Sequence, residues 1–67
     1  MCAMSSSSAA EISVIADGID GYRSRVAGLA EPFIGSPQED LLAAFYEAER
    51  ALRTAHRAMQ RAMKLTR

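Results

Sequence analysis

Apolar residues recur along the chain in alternating steps of three and four. In the first half they are Ile12, Ile15, Ile19, Tyr22, Val26, Leu29 and Phe33; in the second, Leu41, Phe45, Ala48, Leu52, Ala55, Met59 and Ala62. Such steps keep one stripe of a helix facing a neighbour, so each row predicts an amphipathic helix packed at a shallow angle. Between the rows lies Glu31-Pro32-Phe33-Ile34-Gly35-Ser36-Pro37-Gln38-Glu39. Pro32 disfavours the α conformation at Glu31, and Gly35 permits a turn. Ser36 then fits an N-cap, with Pro37 at the first helical position and Glu39 at the capping-box spacing. Ser8 and Glu11 repeat that spacing, placing the first helix start near Ala9. The expected fold is all-α: an antiparallel two-helix hairpin with helices over about 9–31 and 37–66, after a polar leader of residues 1–8. Phe33 is expected to plug its closed end.

The second helix carries more apolar surface than one partner helix can cover. Ala44, Ala51, Ala58 and Leu65 form a row beside its seam, and Leu42, Tyr46 and Met63 lie on the other side. An apolar band of that width implies contact beyond the first helix. A first helix starting at Ala9 would also be the shorter one, leaving Met59, Ala62, Met63 and Leu65 uncovered at the open end. The internal seam is therefore expected to hold Leu41, Phe45, Leu52 and, for the most part, Met59. The partner-binding residues are expected to be Leu42, Tyr46, Met59, Met63 and Leu65. In the first helix, Val14, Gly18, Gly21, Arg25 and Gly28 form a further stripe, read either as a groove for close helix approach or as a locally weak helix.

With 67 residues, the chain has room for little core. Below roughly 70–80 residues a single core rarely supplies more than about 3–5 kcal/mol, and natural chains add disulfides, a metal or association. One Cys excludes an internal disulfide, and Cys2 with His56 has no zinc-ligand spacing. No cofactor is expected, and completion by a partner chain or by dimerisation follows. Cys2, near the chain start, is expected to be a free terminal thiol, with an intermolecular disulfide or lipid attachment as the alternatives. No stretch has the length of a membrane span or the pattern of a secretory signal, so the expected location is cytoplasmic, with signal-peptide-free export open.

The formal net charge is zero, but the six bases Arg50, Arg53, Arg57, Arg61, Lys64 and Arg67 follow all the acids. In an antiparallel hairpin this basic end lies beside Glu11, Asp17 and Asp20, while Glu39 and Asp40 open the second helix; both placements suit the helix dipoles. The basic stripe could touch phosphates, yet a pI near 6.5 and the lack of aromatic interleaving make nucleic acid a poor candidate partner. His56 has no nucleophile or carboxylate at helical spacing to orient it, Glu39-Asp40 serves a helix start, and Glu47 with Glu49 has no predicted cleft. The expectation is a non-enzymatic protein-binding module with no catalytic residues.

Pro37-Gln38-Glu39-Asp40-Leu41-Leu42-Ala43-Ala44-Phe45 resembles the turn and second-helix start of bacterial type III secretion needle subunits, and the likeness extends loosely through Gly18-Ile19-Asp20 and Val26. In length, and in the Ala51-Leu52 pair midway along helix two, the chain is similar to the small E-type chaperones of that system. That resemblance implies a cytoplasmic chaperone holding an aggregation-prone needle subunit together with a second chaperone. Phe33-Ile34-Gly35 is similar to the Trp-x-Gly turn of the hairpin proteins secreted by type VII systems, with Phe in place of Trp. A reading free of family resemblance is a homodimeric four-helix bundle with a regulatory or scaffolding role.

Overall fold

A computed structural model describes the backbone of residues 2–66 and the side chains of residues 8–66. It is the expected all-α hairpin. Helix α1 spans Cys2–Ala30, a 3-10 turn covers Glu31–Phe33, and helix α2 spans Glu39–Leu65. The Cα envelope measures 55 × 14 × 11 Å. Helix α1 begins at Cys2, earlier than the Ser8 box predicts. Ala and Met are good helix formers and serine is only mildly unfavourable, so the Ser5–Ser8 run does not stop a helix continuing on both sides. With 29 residues against 27, α1 is the longer helix, so the predicted overhang of α2 is absent. The expected leader of residues 1–8 thus falls largely within α1; Met1 and the Cys2 thiol lie outside the described residues and side chains.

The turn differs from expectation in its capping. Helix α2 starts at Glu39, and Gln38 at the N-cap position makes no side-chain cap. Ser36 Oγ instead accepts a hydrogen bond from the Gln38 backbone N–H at 3.2 Å. Serine here shapes the turn two residues ahead, a local bond that competes with true capping. Gly35 has φ 81°, the left-handed conformation for which glycine is suited. The Phe33 and Phe45 rings meet at 5.9 Å between centroids, so Phe33 packs at the closed end as the periodicity implies.

Each predicted seam turns only partly inward. In α1 the half-buried apolar seam positions are Ile12, Ile19 and Val26, continued by Phe33 in the turn, beside buried Ala16 and Ala30 and half-buried Ser13, Asp20, Arg23 and Ala27. Ile15, Tyr22 and Leu29 are exposed, Tyr22 by 59%. In α2 the half-buried positions are Leu42, Phe45, Glu49, Leu52, Ala55, His56, Met59, Ala62 and Met63, while Ala48 is exposed and Leu41 is 38% exposed. The seam assignment of Leu41 is therefore corrected to Leu42. The column Leu42–Glu49–His56–Met63 thus faces α1, where Arg23 reaches Glu49 at 3.4 Å. Among the described residues the only buried apolar positions are Ala16 and Ala30, each 2% exposed, and no large side chain is fully buried.

Candidate protein-binding face

The polar edge of the seam orients the whole hairpin. Arg23 donates from Nε to Asp20 Oδ1 at 2.9 Å and from Nη1 to Glu49 Oε2 at 3.4 Å; Arg53 donates from Nη2 to the same Glu49 oxygen at 3.1 Å. This chain of charges crosses from α1 to α2 along one edge. The Arg23 guanidinium holds the Asp20 carboxyl below its ordinary value of 3.8, mainly by that hydrogen bond, with a smaller contribution from His56. Asp20 in turn raises Arg23.

The sign of the linkage follows from that lowering. Asp20 stabilises the fold above its ordinary carboxylate range, and the contribution disappears as pH falls through the lowered value. Exposed pairs of this kind contribute little. Asp20→Asn should therefore leave the melting temperature at pH 7 nearly unchanged and flatten its decline below pH 4, measured by circular dichroism from pH 2 to 7. An unchanged acid limb would remove Asp20 from the account.

Helical periodicity places Asp20 and Arg53 on one flank of the seam, so the opposite flank is set as well. Two right-handed helices lying antiparallel present matching flanks on the same side of the pair. That side carries Ile15, Tyr22 and Leu29 from α1, and Leu41, Ala48, Ala55 and Ala62 from α2. Beyond the second row lie Ala44, Ala51, Ala58 and Leu65. The face has two parts: a ridge of large side chains along α1 and a trench of alanines along α2. Between them the seam residues Ile12, Ile19, Val26, Phe45, Leu52 and Met59 are only half-buried, covered by the opposing helix and open toward this face. At the rim the Arg25 guanidinium lies 5.4 Å from the Tyr22 ring centroid, a cation–π contact along the ridge.

No protein family, curated protein or solved structure matches this chain. The face must therefore be read from its own chemistry.

The five sequence-predicted partner residues divide among three places. Leu42, Met59 and Met63 lie half-buried on the inner face against α1; Tyr46 is exposed on the polar flank with Arg53; Leu65 is 85% exposed at the end of the alanine trench. The structure does not bring them together on one surface. Sequence reasoning missed the ridge Ile15–Tyr22–Leu29 because those residues continue the α1 seam by spacing. The signal was present in charge: Arg23 and Glu49 interrupt otherwise apolar faces at levels that meet in an antiparallel hairpin, marking one edge as polar.

Of the glycine stripe, Gly18 and Arg25 border the ridge beside Tyr22. A Cβ at Gly18, Gly21 or Gly28 would meet nothing within 4 Å. Gly21 and Gly28, with Val14, occupy the back of α1. Gly21→Ala and Gly28→Ala should each stabilise the hairpin by about 0.5–1 kcal/mol without altering its mass in solution, as read from thermal melts and light scattering. Loss of stability, or a lower mass, would place a packed helix over the glycines instead. The described part of the basic stripe, Arg50, Arg53, Arg57, Arg61 and Lys64, is exposed on the other side of α2; Arg67 lies outside the described residues.

Proposed function

We propose that the chain is a non-enzymatic protein-binding module that closes its open apolar face with helices of another polypeptide. The observation that carries this is the half-buried seam: among the described residues no large apolar side chain is fully buried, although the hairpin has a continuous apolar side. Monomeric proteins rarely expose such a contiguous patch, and helical hairpins bury theirs by forming bundles. The resemblance to secretion chaperones supports one version, in which the added helix belongs to an export substrate held until delivery. The open face suits that role, since a chaperone of this kind needs an apolar stripe its client covers.

The test is the mass of the purified chain by light scattering, alone and co-expressed with proteins encoded beside it. A complex, with itself or with a neighbour, that loses its stability when the face is made polar is the expected result. A monomer that unfolds cooperatively, in every combination, would overturn the reading.

A further inference from the structure

We infer that the occupant of the open face is a second copy of the same chain, related by a two-fold axis parallel to the helices, with both turns at one end of a four-helix bundle. This rests on the protein-binding reading above and names its partner.

Three observations point to self-association in this arrangement. The first is shape. A two-fold axis along the hairpin lays α1 of one copy over α2 of the other, so the ridge of Ile15, Tyr22 and Leu29 sits over the alanine trench, twice. Large residues facing small ones let layers interdigitate without voids. The alternative axis, across the hairpin, sets ridge on ridge and leaves trench facing trench. The second is area. The open face runs the length of a hairpin whose Cα extents along and across it are 55 and 14 Å, giving a second copy a full-length contact of the kind that stable interfaces need, about 800 Å² from each partner. The third is charge. With the turns together, each helix lies antiparallel to both neighbours, so helix dipoles are matched on both sides. At the rim of the open face, helical spacing sets Glu11 and Arg25 of α1 level with Arg61 and Glu47 of the other copy's α2, opposite charges in both cases.

Because such an axis keeps every residue at its own level, Tyr22 falls over the middle of the other copy's trench, near Ala48, Ala51 and Ala55. Nothing but methyl groups stands there to receive the ring. An isologous contact of this kind closes on itself and limits assembly to two copies.

The experiment uses the full chain with Cys2→Ser and a single Gln38→Cys at the turn, carrying a spin label. Light scattering should give twice the 7.2 kDa of one chain. Double electron–electron resonance should place the two labels within about 20 Å, two interaxial spacings of 8–10 Å. A separation near the 55 Å length of the hairpin would put the turns at opposite ends and overturn the ridge-over-trench arrangement. A second variant, Ala48→Glu, should weaken the dimer by about 100-fold, whereas Arg50→Glu on the opposite side should not. Equal effects of the two would also overturn it. A chain that is monomeric alone and joins only a different protein would refute the second copy while leaving the protein-binding function standing. A cooperatively folded monomer that binds nothing would refute both.

Discussion

Phe45→Ala should leave the chain largely unfolded at 25 °C. The ring packs against Phe33 at the closed end, 5.9 Å between centroids, where the two helices diverge from the turn. Truncating a fully buried Phe costs about 3–5 kcal/mol through lost transfer energy and the cavity left behind, a figure that applies to Phe45, half-buried in the single hairpin, once the open face is closed. A hairpin core of this size supplies about the same amount in total. The closed end has no compensating group, because the turn residues beyond it, Ile34 to Gln38, are mostly exposed. Phe45→Leu keeps most of the volume and should fold with a lowered midpoint. For a domain of this length each 1 kcal/mol moves the midpoint by about 4–8 °C. A change below about 5 °C for Phe45→Ala would show that the closed end does not anchor the hairpin.

Tyr22→Glu should abolish association and, through it, most of the stability. Tyr22 stands at the centre of the ridge, 59% exposed in the single hairpin and covered once the face closes. Desolvating a carboxylate over the alanines of the other copy has no partner to offset it, and an unpaired buried charge is among the costliest changes a protein can suffer. The melting temperature should fall with the mass, since the half-open seam depends on the same closure. Val14→Glu provides the contrast: Val14 is 70% exposed on the back of α1, so the same change there should leave both quantities nearly unaltered. If the two substitutions behave alike, the face has been assigned to the wrong side.

Much of the hairpin was legible in the residues alone. Pro32 and Gly35 located the turn, and the alternation of three and four located two helices packed lengthwise. Helix boundaries were less legible. Ser8 and Ser36 both have capping-box spacing, yet one lies inside α1 and the other bonds Gln38 within the turn. A serine's local bonding options do not by themselves say which will be used.

The binding face was the least legible part. Ile15 and Ile19 belong to one heptad row by spacing but fall on different columns of a helix, and periodicity cannot say which faces the partner when three adjacent columns are apolar or small. The decision came from Arg23 and Glu49, whose pairing rotates both helices so that Leu42 points in and Leu41 out. A surface ion pair of this kind adds little stability, yet it is costly to bury on the wrong side, so it selects the rotation. That choice exposes the ridge and the trench together.

In the proposed arrangement one hairpin is half of a core. Thermal unfolding of the wild-type chain over a thousandfold range of concentration tests this directly. If two copies complete the core, unfolding and dissociation are one event, and the midpoint rises steadily with concentration. A cooperative transition whose midpoint stays fixed across that range would mean that the single hairpin is complete by itself, and would contradict the account.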